Sequence, residues 1–149
     1  MLTDGIEVFT TGLCRYQDDL SGQSSNNSKL FIEVKVGDLD FAVWAMVDTG
    51  APYCIFEPEI PNELGYLFQP NNPTTLSTRF GPIIGTLHRI DLTLLANSGQ
   101  SLVVSSTCLV PQALPSEWKG NFIGYVGCLQ RFRFAVDPSN NTFHFGKHP

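Results

Sequence analysis

The sequence predicts a single domain of mainly β structure, either a closed barrel or a folded sandwich, with at most one or two short helices. The composition favours strands separated by turns, because eleven Phe, ten Pro and thirteen Gly occur among 149 residues. Period-two alternation early in the chain and strong turn chemistry near its end indicate the same class. Hydrophobic residues make up 42% and charged residues 15%, so a chain of this length can bury a core.

The N-terminal region is predicted to contain one strand and one loop. The strand lies at about residues 6–10, and the low-complexity segment 21–28 follows it. We interpret this Ser- and Asn-rich segment as a flexible loop. The prediction therefore separates an N-terminal strand and loop, residues 1–29, from the main domain, residues 30–149.

Two neighbouring segments are predicted as the next strands. Residues 30–36 alternate, with Leu30, Ile32, Val34 and Val36 on one face, which is typical of a half-buried strand. Residues 41–47 form a short, continuous apolar run after a turn. Such a run predicts a strand that is buried on both faces.

Prolines and turns divide the rest of the chain. Pro58 and Pro61 exclude a strand beyond Phe56, and residues 63–67 are predicted as a short helical turn. Residues 137–141, Asp-Pro-Ser-Asn-Asn, favour a hairpin turn between the last two strands. The remaining strands are predicted at residues 75–80, 83–95, 101–110, 131–136 and 142–145.

Charge, hydropathy and cysteine spacing exclude several classes of function. A net charge of -5 disfavours a nucleic-acid partner, which would require a basic surface. No run of eighteen apolar residues occurs, so no membrane partner is expected. Residues 1–13 lack the features of a secretion signal, which predicts a cytoplasmic protein. The four cysteines are scattered without a Cys-x-x-Cys pair, so we expect free thiols.

The chemically distinctive feature is Asp48-Thr49-Gly50-Ala51, directly after the apolar run. A strand that is apolar on both faces delivers the Asp48 carboxylate to the interior or to the floor of a cleft. Leaving such a charge unpaired there is costly. Gly50 allows another chain segment to approach closely, and Thr49 can bond backbone groups of the turn. A simpler interpretation is a strand-capping turn whose carboxylate accepts hydrogen bonds from local amides.

Residues 47–51, Val-Asp-Thr-Gly-Ala, followed by Ile55, resemble the active-site loop of the retropepsin-like, or retroviral-type, aspartic peptidases. The chain resembles single-domain bacterial members of that family over about residues 30–145. Residues 78–85 lie where the family has its flap, a hairpin that closes over substrate. The residues that the resemblance assigns to the flap are Gly81, Pro82, Ile83, Ile84 and Gly85. The apolar-apolar-Gly motif of the family is matched by Phe122, Ile123 and Gly124.

The resemblance implies an acid-protease fold with a flap hairpin and an aspartic endopeptidase that acts on polypeptides, with Asp48 as catalytic residue. Such an enzyme needs two carboxylates that share one proton around a water molecule. The chain is too short for two lobes and has a single Asp-Thr-Gly. The second carboxylate would therefore come from Asp48 of another copy in a homodimer. No metal or cofactor is expected, and apolar substrate pockets would be lined by Ile55, Ile83, Ile84 and Ile123.

One departure from the family pattern leaves an alternative open. Viral members usually follow the second motif with Arg and then Asp or Asn, whereas this chain has Tyr125-Val126-Gly127. Another arginine would have to brace the site, and the candidates are Arg79, Arg131 and Arg133. The alternative is a retropepsin-like binding or dimerisation domain without catalytic activity, since a fold does not guarantee function.

Overall fold

The structure is a computed structural model that describes residues 2, 3, 5, 7–20 and 29–149. Its elements, in chain order, are β1 (Gly12–Arg15), β2 (Phe31–Val36), β3 (Ala42–Asp48), α1 (Glu59–Glu63), β4 (Thr74–Thr78), β5 (Gly81–Leu94), β6 (Ser98–Gly99), β7 (Leu102–Pro111), β8 (Asn121–Gly124), a 3₁₀ helix (Leu129–Arg131), β9 (Arg133–Asp137) and β10 (Thr142–Gly146). The prediction of a mainly β fold is confirmed.

The strands form two sheets. The larger sheet has the order β4-β5-β2-β3-β8, and β7 pairs with β5 along ten register positions. The smaller sheet has the order β6-β1-β10-β9. The predicted closure into a barrel is wrong, because β4 and β8 lie at opposite ends of the strand order and do not pair with each other.

Strand β3 is less buried than its apolar sequence predicts. It pairs with β2 in an antiparallel ladder that runs from Phe31 opposite Met46 to Lys35 opposite Ala42. Ala45 is fully buried, but the other residues of the strand are half-buried. The prediction of burial on both faces is wrong here, because Met46 and Val47 border an open cavity, although Val43 and Val47 also pack against the core.

Two of the predicted element positions are shifted. The N-terminal strand lies at Gly12–Arg15 and not at residues 6–10. The helix lies at Glu59–Glu63 and not at residues 63–67. Pro61 is compatible with that helix because it falls in the first turn, where backbone N–H groups have no intrahelical partner. The predicted loop at residues 21–28 lies outside the described residues.

The core contains one large cluster between the two sheets and one small cluster under the β4–β5 hairpin. Phe143 and Phe145 of β10 are fully buried in the large cluster, with Ile32 and Val34 of β2. All four cysteines are free, as the sequence predicts, and all four are buried. Within the described residues, the structure has no helix that is long and apolar enough to cross a membrane.

Candidate active site

Asp48 is placed at the end of β3, beside the second motif. Strands β3 and β8 run parallel, with Val47 opposite Ile123 and Asp48 opposite Gly124. The parallel pairing therefore brings together the Asp-Thr-Gly-Ala loop and the apolar-apolar-Gly motif, which are far apart in the sequence.

The backbone after Asp48 forms a tight turn. The Gly50 amide donates a hydrogen bond to Asp48 Oδ1 at 2.9 Å, and the Ala51 amide donates to the Asp48 carbonyl at 3.2 Å. Asp48 is half-buried, whereas Thr49 and Gly50 are exposed. A simple strand-capping turn makes the same bonds, so the function of Asp48 has to be argued from its surroundings.

The loop after the turn passes directly over the second motif. Ile55 and Phe122 exchange two backbone hydrogen bonds, at 2.8 and 3.0 Å, and the Tyr125 amide donates to the Ala51 carbonyl at 2.7 Å. A Cβ atom on Gly124 would lie 2.4 Å from the Tyr53 carbonyl oxygen. Glycine is needed at this position because only it permits such a close approach of two backbones.

Strand β7 supports both loops from behind. The Cys54 amide donates to the Thr107 carbonyl at 3.2 Å, and the Thr107 amide donates to the Gly127 carbonyl at 2.8 Å. The Gly127 amide in turn donates to the Pro52 carbonyl at 2.7 Å. These bonds connect the loop that carries Asp48 to the segment after the second motif through Thr107.

The three arginines that could brace the site lie in different places. Arg131 Nη2 donates to Thr107 Oγ1 at 2.7 Å, and its Nη1 donates to the Ser105 carbonyl. Arg79 lines the cavity next to Asp48, and Arg133 stacks on the ring of Phe9 at 5.0 Å. Arg131 is thus the arginine that bonds the strand which holds both loops.

A cavity of about 540 Å³ opens above Asp48. Among the described residues, Asp48 is the single carboxylate that lines it, while Lys29 and Arg79 provide the cations. Most of the wall is apolar, and its larger side chains are Leu30, Met46, Ile55, Leu76, Phe80, Trp118 and Phe122. A half-buried carboxylate in a largely apolar cleft suits acid–base chemistry on a substrate that enters the cleft.

The β4–β5 hairpin forms one side of the cavity, with its tip at Arg79 and Phe80. Thr78 Oγ1 donates to the Gly81 carbonyl at 2.7 Å and accepts from the Phe80 amide at 3.1 Å. Gly81 has a φ of 102°, which favours glycine. The cavity is lined by the β4 side and the tip, residues 76–80, and not by residues 81–85.

The residues assigned to the flap by sequence therefore lie on β5 and do not line the cavity. Pro82 and Ile84 are exposed, and Ile83 is buried in the small core cluster. A Cβ atom on Gly85 would lie 2.7 Å from the Val110 carbonyl oxygen, so Gly85 allows close packing of β5 on β7. Of the four isoleucines predicted to line pockets, Ile55 does so, whereas Ile83, Ile84 and Ile123 do not.

Trp118 is an aromatic side chain of the cavity that the sequence prediction missed. The ring centroid of Trp118 lies 4.9 Å from that of Phe122 and 6.3 Å from that of Phe80. Trp118 belongs to the irregular segment between β7 and β8, where no periodicity indicates its direction. Its closeness in sequence to the Phe122 motif is the one signal that could have identified it.

Buried thiols lie behind the loop, where they are poor nucleophiles. Hydrogen bonding with Cys108, together with burial, raises the pKa of the Cys54 thiol. Hydrogen bonding with Cys54 and burial likewise raise the pKa of Cys128. Since a thiolate is the reactive form, this environment disfavours a cysteine nucleophile. In the described part of the chain, no group of three or more His, Cys, Asp or Glu side chains could hold a metal ion.

Comparisons with known proteins give no match by sequence and a match by structure. No protein-family model matches the chain, and no curated protein does so. The fold is that of the retropepsin-like aspartic proteases. A crystal structure of a retropepsin-like aspartic protease from Rickettsia conorii superposes with a TM-score of 0.54 and 14% sequence identity. The match covers 90% of this chain and 89% of that one. At this identity the likeness shows the fold alone.

Proposed function

We propose that this protein is an aspartic endopeptidase of the retropepsin-like family whose active site forms when two copies pair, each contributing Asp48. The observation that carries the proposal is the position of Asp48, the single described carboxylate in a largely apolar cavity of about 540 Å³. In a fold shared with an aspartic protease, a site that needs two carboxylates and has one among the described residues of each chain takes the second from another chain.

The reaction follows from two adjacent carboxylates that share one proton. The ionised Asp48 takes a proton from a water molecule, whose oxygen attacks the carbonyl carbon of the scissile peptide bond. The protonated Asp48 of the other copy donates its proton to the carbonyl oxygen, which gives a neutral tetrahedral diol. Transfer of a proton to the amide nitrogen then allows the C–N bond to break, and the products are an acid and an amine.

Exposed apolar residues next to the Asp48 loop support pairing of two copies. Tyr125 and Val126, which follow the second motif, are 44% and 43% exposed. Tyr125 bonds the Ala51 carbonyl, so it lies within the same loop assembly as Asp48. A symmetric contact made by this surface would bring the two Asp48 side chains towards a common axis.

The shape of the cavity supports an extended polypeptide as the substrate. A peptide strand between the Asp48 loop and the β4–β5 hairpin would place alternate side chains against the apolar walls. We propose that the hairpin tip, Arg79 and Phe80, closes over this peptide as a flap and excludes water from the reacting bond.

The test is digestion of a peptide library by the wild type and by Asp48→Asn, which is nearly isosteric. The variant should lose cleavage by about 10²- to 10⁴-fold, the range of a general acid–base contribution, and should keep its fold and pairing. Asp40→Asn removes a charge from an exposed turn and should leave cleavage unchanged. Pepstatin should inhibit the wild type.

Mixing the two proteins tests the shared site. An excess of Asp48→Asn should suppress wild-type cleavage, because mixed pairs hold one carboxylate where two are needed. Cleavage that persists in Asp48→Asn alone would overturn the proposal. A wild type that pairs but cleaves no peptide would favour the alternative of a catalytically silent binding or dimerisation domain.

A further inference from the structure

A second cavity, of about 360 Å³, lies beside residues 102–105 of β7 and is rich in positive charge. Arg89, Arg131, Lys147 and His148 line it. The chain has nine Lys and Arg residues against fourteen Asp and Glu, yet three of the nine meet here. Among the described residues, no Asp or Glu lines this cavity.

Two of these cations are held close together by one hydroxyl group. Arg89 Nη1 and Arg131 Nη2 both donate to Thr107 Oγ1, at 3.3 and 2.7 Å. Their nitrogens therefore lie within about 6 Å of each other, a distance at which two like charges repel. An anion placed beside both guanidinium groups would relieve that repulsion and accept charge-assisted hydrogen bonds.

The remaining donors of the cluster are available for such an anion. Each terminal nitrogen of Arg131 carries two protons and donates one of them, to Ser105 or to Thr107, so a second proton remains on each. The Arg89 side chain is exposed beyond its bond to Thr107. Lys147 is exposed, and His148 Nε2 lies 3.0 Å from the Gln130 carbonyl. Because a carbonyl oxygen only accepts hydrogen bonds, Nε2 carries the proton of that bond.

We propose that these four residues form a binding site for a small phosphate-class oxyanion. Two guanidinium groups match the geometry of phosphate oxygens, which favours this class over halide ions. The site does not rest on the proposed peptidase activity. Thr107 connects the two, because its backbone bonds Cys54 and Gly127, so an occupied site would stabilise the strand that supports the Asp48 loop.

The experiment measures the melting temperature of the full chain as inorganic phosphate replaces sodium chloride at constant ionic strength. The wild type should show a saturable rise. Arg89→Gln and Lys147→Gln, both changes of exposed side chains, should each weaken phosphate binding about tenfold or more, the value of a lost charge-assisted hydrogen bond. Arg15→Gln, which removes the same charge from an exposed position on β1, should bind phosphate like the wild type.

Amide NMR spectra in the same titration locate the ion without reference to catalysis. Saturable shifts at Ser105, Thr107 and Lys147 that disappear in Arg89→Gln would support the site. The absence of a saturable shift, or equal phosphate affinity in the wild type and both cavity variants, would overturn it and would mean an adventitious ion only. Loss of peptide cleavage with phosphate binding intact would concern the proposed function and not this site.

Discussion

At the scale of single residues, Gly124 determines how closely the Asp48 loop and the second motif can approach. Its Cα faces the Tyr53 backbone so closely that a Cβ atom would lie within 2.4 to 2.7 Å of three backbone atoms. Backbone cannot rotate aside as a side chain can. The loop and strand β8 must therefore separate if any larger residue is placed here.

Gly124→Ala should destabilise the protein by about 3 kcal/mol, the upper end of overpacking costs, and should abolish cleavage because Asp48 is displaced. Urea unfolding would measure the change in free energy. Gly50→Ala is the matched control for stability, since its Cβ would meet only the Asp48 side-chain oxygen, at 3.2 Å. Equal free energies of unfolding for the two variants would show that the Tyr53 backbone does not exclude a Cβ atom at position 124.

Single residues also show what the sequence could reveal about the site. Asp48 is recognisable in the sequence because a carboxylate directly after an apolar run is costly to bury unless it is paired or has a local role. Arg131 was one of three candidate arginines that the sequence could not rank, and Thr107 was not identified at all, because both roles depend on contacts between β7 and segments distant in sequence. Tertiary contacts of this kind leave no periodic pattern.

At the scale of elements, the β4–β5 hairpin has its tip fixed by one hydroxyl group. Thr78 Oγ1 makes two hydrogen bonds across the turn, to Gly81 and Phe80. The tip carries Arg79 and Phe80 over the cavity. The orientation of both side chains above Asp48 should therefore depend on Thr78.

Thr78→Val removes both bonds and keeps the shape of the side chain. We expect a loss of stability of about 1 kcal/mol, with a raised KM for peptide substrates and faster hydrogen exchange at residues 79–81. Thr75→Val is the control, because Thr75 is exposed on the same strand. If both variants keep the wild-type KM, the hairpin tip does not contact substrate.

Most elements could be predicted from the sequence, since period-two alternation and turn residues identify β2, β5, β7 and the β9–β10 hairpin to within a few residues. The turn at residues 137–141 forms as predicted, with the Ser139 amide donating to Asp137 Oδ1 at 3.0 Å. Strand β6 escaped prediction because it is two residues long. Strand β8 was recognised as a motif but not as a strand, because four residues carry no measurable period.

At the scale of the whole molecule, the buried Cys14 thiol makes the free energy of unfolding depend on pH in the alkaline range. Burial, with a smaller effect of Glu33, raises the pKa of the Cys14 thiol from 9.0 to about 12. Between these values the folded protein keeps a proton that the unfolded chain releases. The stability contributed by the thiol is therefore complete below about pH 9 and is lost as the pH rises towards about 12.

The urea midpoint should accordingly fall as the pH rises above about 9. Cys14→Ala should be less stable than the wild type at neutral pH, because it leaves a small cavity, but its midpoint should fall less steeply at alkaline pH. Parallel pH profiles of the two proteins would show that Cys14 does not carry this dependence.

The position of β1 between β6 and β10 determines when this strand can complete its pairing during synthesis. Gly12 lies opposite Phe145, so the earliest described strand pairs with a segment that is translated about 130 residues later. Bringing together two strands so far apart in sequence has a high entropic cost, and this slows folding. Until β10 leaves the ribosome, β1 of the nascent chain lacks the strand with which all four of its residues pair. A product truncated before Thr142 would expose that unpaired edge to other chains.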